Sequence, residues 1–297
     1  MPFQEILDEI RQQRLVPLVG PGVLHDVRHA VTGQTIPADS DSLIYALNDG
    51  KPMAPKLMYE FPRAAMNVEL KKGRSHVEKF LTRVYGDDRW SRAAVHEWLG
   101  SWMPPYVIDI NRDSQLQQTY RKTPHLLVRG LARTIGTAYR FTLHLHDGQA
   151  YRPLPPDEAT AELPILLKPM GSPLPSSQFV ASDADYVDYI TELMGGFALP
   201  PFLKKYRENK KYLLLGLALS RDTERMVMSE IILNGSERRG WAVIENPGAK
   251  QRRFCERMCL EIIDAEMPDF MTRLCSWPTP VVVKPPAQLS HAASGAS

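Results

Sequence analysis

The sequence predicts an α/β fold: a Rossmann-like parallel sheet with helices on both faces and a small inserted helical subdomain. Three observations lead there. Five short apolar runs, within residues 14–19, 106–110, 163–168, 211–220 and 240–244, have the length of strands, and they lack the alternation of a half-exposed sheet. The stretches between them carry helical spacings of apolar residues. Four of the runs end in polar or glycine-containing turns: Gly20-Pro21-Gly22, Asn111-Arg112-Asp113, Met170-Gly171-Ser172, and the segment from Gly216 through Ser220 to Asp222. In an open parallel sheet the carboxyl ends of the strands converge on one crevice, where a nucleotide usually sits.

The elements follow in order. Phe3, Ile6, Leu7 and Ile10 share one helical face, so residues 3–13 read as an amphipathic helix leading into the strand that ends at Gly20. The glycines after that strand serve either an ordinary turn or a floor on which backbone N–H groups approach a phosphate. Residues 23–49 are mixed and polar and read as a loop. Residues from about 50 to 103 look helical and form the expected insertion; Trp90, Trp98 and Trp102 within it read as core, and His76 and His96 as packing or surface residues. Pro104-Pro105 closes that stretch, and Tyr106 to Asp113 is a strand running into polar groups. Gln115 to Arg133 reads as a helix with Leu126, Leu127, Gly130 and Leu131 on its packed face. Ala138 to His146 alternates like a strand before the turn Asp147-Gly148. After the proline-rich link 153–156 come the strand Leu163–Lys168 and a helix opened by Ser182 with acidic residues in its first turn. Lys211 to Ser220 is the most apolar strand and should be central. A helix from Arg221, a final strand Gly240–Ile244, a helix over 250–264 and a short turn at Phe270–Leu274 complete the fold. Residues 1–275 thus form one domain, and the Pro-, Ala- and Ser-rich stretch 276–297 reads as a disordered tail.

Bulk properties exclude several classes. With 43% hydrophobic and 24% charged residues among 297, the chain has a globular composition, and no apolar run reaches the roughly 18 to 20 residues of a membrane helix. The acidic start, Met1 to Ile10, is unlike a signal peptide, which places the protein in the cytoplasm. A net charge of +2 argues against a nucleic-acid partner, and the clusters Lys204-Lys205-Tyr206-Arg207, Lys210-Lys211 and Lys250-Gln251-Arg252-Arg253 read as solvated helix faces. Cys255, Cys259 and Cys275 supply neither a disulfide framework nor a zinc ribbon. His144 and His146 share a strand face, but no third metal ligand accompanies them.

The order of these motifs resembles the Sir2-like domain family, divergent relatives of sirtuins found in bacterial NAD-consuming defence proteins, over about residues 3–275. Gly20-Pro21-Gly22-Val23-Leu24 stands where that family has a GAGxS-like loop, and Asn111 and Asp113 match a TNxD-like motif. Lys168, Gly171 and Ser172 match a K-x-HG-S-like motif; Asp183, Tyr186 and Tyr189 match a D-x-x-Y-x-x-Y-like helix; Leu213 to Asp222 matches an LLFIGxSLxD-like strand. The resemblance implies a site for NAD or an ADP-ribose-like nucleotide without zinc. Gly20 and Gly22 would hold the pyrophosphate, with Gly171 and Ser172 also on the cofactor side. Asn111 and Asp113 would act at the nicotinamide ribose, and Gly216, Ser220 and Asp222 would line the adenosine end. Family members cleave the nicotinamide–ribose bond using the Asn and a His. Here Met170 occupies the His position, and a thioether exchanges no proton; general-base help is worth about 10² to 10⁴ in rate. Pro21 also removes one N–H from the loop, and Leu24 stands near a usual Ser. The expected function is therefore nucleotide binding with weak or absent NAD hydrolysis. The alternatives are an active NAD glycohydrolase of an antiphage or toxin-like system, and a structural or interaction protein on a decayed fold. Beyond the nucleotide, the expected partners are a second copy of the chain or an operon-encoded protein, with no nucleic acid and no membrane.

Overall fold

The computed structural model describes residues 2–232 and 240–277. Helix α1 (Phe3–Arg11) buries Ile6, Leu7 and Ile10 and delivers the chain into β1 (Leu15–Val19). Strand β1 is buried throughout because its faces enter two cores: Leu15 and Val19 join one, Val16 and Leu18 the other. A single 3-10 turn, Pro21–Leu24, follows. Next come α2 (Ser40–Leu47), α3 (Phe61–Lys72), α4 (Arg74–Tyr85) and α5 (Ala94–Trp102), then β2 (Tyr106–Asp109) and the short α6 (Gln115–Thr119). Strands β3 (His125–Gly130), β4 (Phe141–His146), β5 (Tyr151–Pro153) and β6 (Ile165–Lys168) lead to a small hairpin, β7 (Gly171–Ser172) and β8 (Gln178–Phe179). The remainder is α7 (Asp183–Gly195), α8 (Pro201–Tyr206), β9 (Lys211–Leu215), α9 (Asp222–Ile232), β10 (Gly240–Val243), α10 (Ala249–Arg257), β11 (Leu260–Ile263) and α11 (Met267–Cys275).

Nine strands form one sheet in the order β11-β10-β9-β1-β2-β6-β3-β4-β5. The first seven run parallel, and β4 and β5 extend the sheet antiparallel. The fold is the α/β, Rossmann-like sheet that the apolar runs predict. One face packs against α1 to α5 and α11 through residues such as Ile6, Ile44, Leu81, Trp98 and Leu274. The other packs against α7 to α10 through Ile190, Leu203, Ile231 and Phe254. Helices α3, α4 and α5, within the stretch expected as an insertion, share their core with β1 and β9. Trp98 and Trp102 are buried there, and the indole N–H of Trp90 donates to Val84 O at 2.7 Å.

Four local readings are corrected. Residues 23–49 are not all loop: α2 forms because the Asp39 side chain caps it by accepting the Ser42 N–H at 3.0 Å. The helix expected over 115–133 stops at Thr119, and 125–130 is β3. Pro124 biases the preceding residue to extended backbone, and β6 and β4 supply ladders on both sides of the strand. Gly130, taken as part of a helix face, marks a close approach instead, since a Cβ there would lie 1.7 Å from Pro169 O. The helix expected over 250–264 ends at Arg257; Cys259, at φ +52°, turns the chain into β11, so β10 is not the final strand. Finally, Phe270–Leu274 is not a short turn but lies inside the full helix α11. Strand β9 is interior, between β10 and β1. The expected disordered tail lies outside the described residues from 278 onward, while Trp277 packs edge-on against Phe3 at 5.5 Å. Among the described residues no helix is long and apolar enough to cross a membrane.

Candidate functional site

A cavity of about 590 Å³ opens where the sheet delivers its carboxyl ends. Pro21 and Gly22 after β1, Asn111 and Arg112 after β2, and Met170 after β6 form one part of its wall. The segment after β9, including Gly216, Ser220 and Arg221, and residues 243–245 at the end of β10 continue the wall. Its size is that of a site for a nucleotide-sized ligand.

The glycine turns meet each other here. Gly216 has φ +70°, and a Cβ on it would lie 2.5 Å from Val23 N; a Cβ on Gly22 would lie 2.9 Å from Gly216 Cα. The turn after β1 is thus pressed onto the turn after β9. Two of its donors are spent on that contact, Gly20 N–H donating to Leu215 O and Gly22 N–H to Gly216 O, each at 2.8 Å, and Val23 N–H closes the turn on Gly20 O at 3.3 Å. Gly20 lies under the wall rather than in it.

Asn111 is buried in the wall. Its backbone N–H donates to Asp109 Oδ1 at 2.9 Å and its side-chain amide to Gly20 O at 3.1 Å, which leaves its carbonyl oxygen as the end that can accept from a ligand. Arg112 stacks on Phe61 and donates to Val180 O and to the Tyr186 hydroxyl at 3.3 Å. Met170, where the resemblance expects His, is a buried part of the cavity wall.

Asp113 does not reach the cavity. It lies beneath the floor, with Oδ1 accepting the Gln115 N–H at 2.8 Å and Oδ2 buried without a partner. Ligand atoms of Asp113, Asp109 and His96 all lie within 4.8 Å of one another, the arrangement among the described residues that could share a cation. Lys168 already brings a positive charge to it, donating to Asp109 Oδ2 at 2.6 Å with both side chains fully buried. Burial raises the Asp109 carboxyl above its ordinary range against the pull of Lys168, and burial pushes His96 down to about 3, so its imidazole is neutral at pH 7.

Three more expected residues lie away from the lining. Gly171, at φ +79°, lets β7 close on β8, since a Cβ there would lie 2.0 Å from Gln178 O. The buried Ser172 hydroxyl donates to Leu174 O and accepts from the Gln117 amide, both at 2.8 Å. Asp222 opens α9 on the surface and pairs with Arg225. Gly22, Asn111, Gly216 and Ser220 are the expected site residues that the cavity brings together. His146 accepts the Gly148 N–H and stacks on His125 at 4.7 Å, while His125 bonds the Tyr151 hydroxyl at 2.7 Å. That face is occupied by ring packing. The three cysteines are unpaired.

Five carboxylates in the lining, Asp39, Asp41, Glu60, Glu224 and Glu245, escape the motif reading. Glu60, at the start of α3, accepts from the Thr223 hydroxyl at 3.0 Å. Glu224, in the first turn of α9, is pushed up to about 7 by burial, against backbone N–H groups of Leu219 and Ser220 and the charges of Arg225 and Arg221. Leu219 holds φ +48°, and its carbonyl accepts from Arg225 at 2.5 Å, so this strained loop is pinned from the helix that follows it. The only sequence signal for Glu224 is its place just after the carboxyl end of a strand.

No curated protein matches the chain. The model of the SIR2-like domain family matches residues 105–263, which hold β2, Asn111, Met170 and the turn after β9. With more than half of its length inside that match, and with those strands delivering their ends to one cavity, the chain belongs to the SIR2-like domain family.

Proposed function

We propose that the chain binds NAD or an ADP-ribose-like nucleotide in the cavity and hydrolyses NAD slowly or not at all. Met170 carries the reading: it lies buried in the cavity wall, at the position where the resemblance expects the histidine that exchanges a proton. Cleavage of the nicotinamide–ribose bond needs a group that orients water and accepts its proton. Asn111 can orient through its carbonyl oxygen, and the thioether beside it accepts no proton at pH 7. Calorimetry with NAD and ADP-ribose tests the binding. Saturable heat is the expected outcome, and no heat at millimolar ligand would sink the reading. Nicotinamide release compared among wild type, Asn111→Ala and Met170→His tests the second half; Met170→His is expected to gain activity.

One observation favours a second reading, an active NAD glycohydrolase of the kind found in bacterial defence systems. Glu224 lies in the same lining and titrates near neutrality, as a general base should. Fast nicotinamide release by the wild type, lost in Glu224→Gln, would favour it over the first.

A further inference from the structure

We infer that Arg221, stacked on Tyr59, holds the phosphate of the ligand in this cavity, in place of the glycine loop. The inference rests on the nucleotide-binding reading above and adds to it the group that meets the anionic part.

The loop itself has few donors to give. The N–H groups of Gly20, Gly22 and Val23 are bonded to carbonyls of Leu215, Gly216 and Gly20, and Pro21 has none. Freeing the first two would separate the turn after β1 from the turn after β9, where the glycines already pack at contact distance. A phosphate at this turn therefore finds no free donor at Gly20, Pro21, Gly22 or Val23, and the charged side chains of the lining have to meet it.

Two guanidinium groups line the cavity, and their situations differ. Arg112 is buried, with Nε and Nη2 both on Val180 O, Nη2 also on Tyr186, and its guanidinium carbon 5.3 Å from the centroid of the Phe61 ring. It supports the wall. Arg221 is half-buried, and its guanidinium makes no hydrogen bond among the described residues. Its carbon sits 4.3 Å from the centroid of the Tyr59 ring. A guanidinium held over a ring by cation–π attraction spends no N–H donor on that contact, so the donors of Arg221 remain available to two phosphate oxygens. Tyr59 thereby fixes the fork without using its donors, which reduces the ordering needed on binding.

Charge in the rest of the lining sharpens the assignment. Asp39, Asp41, Glu60, Glu224 and Glu245 also border the cavity, and Arg221 lies near enough to Glu224 to favour its ionised form, so Arg221 and Arg112 are the cations of the lining that can offset a phosphate among these carboxylates.

Isothermal calorimetry with ADP-ribose at two salt concentrations tests the inference on the full chain, using wild type, Arg221→Ala, Arg221→Lys and Tyr59→Ala. Loss of a charge-assisted fork predicts a weakening of about ten- to a hundredfold for Arg221→Ala, together with a flatter salt dependence. Arg221→Lys keeps the charge and loses the fork, so it should fall between. Tyr59→Ala, which removes only the positioning ring, should weaken binding less than Arg221→Ala. Unchanged ADP-ribose affinity in Arg221→Ala would overturn the inference and leave the nucleotide reading standing. Absence of ADP-ribose binding by the wild type would overturn the reading, and the inference with it.

Discussion

Glu224 is a carboxylate held where its charge is opposed. Burial raises its proton affinity to about 7, although two backbone N–H groups, Arg225 and Arg221 all favour the ionised form. An ordinary glutamate titrates near 4.3 in the unfolded chain. Between those values the folded state holds more protons than the unfolded state, so stability falls as pH rises and levels off above about 8. Glu224→Gln removes that dependence. We expect it to be more stable than the wild type by about 1 to 3 kcal/mol at pH 8, with the difference vanishing near pH 4.5. Urea denaturation at both pH values checks this; an equal difference at both would show that burial of the charge is not the cause. Asn111 was legible because a strand ending in polar groups points to a site from sequence alone, and Met170 because the resemblance expects a histidine at that place. Glu224 was not: an acid in a first helical turn ordinarily serves the helix dipole, and its surroundings exist only once α9 packs on α7.

At the scale of elements, the contact between the turns after β1 and β9 fixes the cavity. Gly216 and Gly33 both hold a left-handed φ, +70° and +69°, but a Cβ on Gly33 meets nothing within 4 Å while one on Gly216 meets Val23 N at 2.5 Å. Gly33→Ala should therefore cost about 1 kcal/mol from conformation alone, and Gly216→Ala several. The difference between their unfolding free energies isolates the steric part; equal losses would refute close packing of the two turns. The five parallel strands nearest the site were legible because burial on both faces leaves an uninterrupted apolar run. Strand β3 was missed because Leu126, Leu127 and Leu131 also fit a helical face, and only β4 and β6 on either side decide between the two. Strand β11 was missed because its Glu261 is exposed and its run is short.

For the whole molecule, the sheet has a graded interior. Strands β1, β2 and β6 are buried along their entire length and paired on both sides, whereas β5 is an exposed three-residue edge. Hydrogen exchange should reach β5 first and β1, β2 and β6 last; exchange from β1 as fast as from β5 would contradict a common core. The two-sided fold was legible from composition and run length, but the order of nine strands was not, because pairing is set between segments far apart in the chain. Joining the turn after β1 to the turn after β9 has a consequence for the resting protein. With the N–H groups of Gly20 and Gly22 bonded to Leu215 and Gly216, and that of Val23 to Gly20, an empty cavity strands none of these three, and the turn after β1 needs no ligand to complete them. A molecule entering the cavity therefore meets that turn already folded, and its arrival orders nothing there.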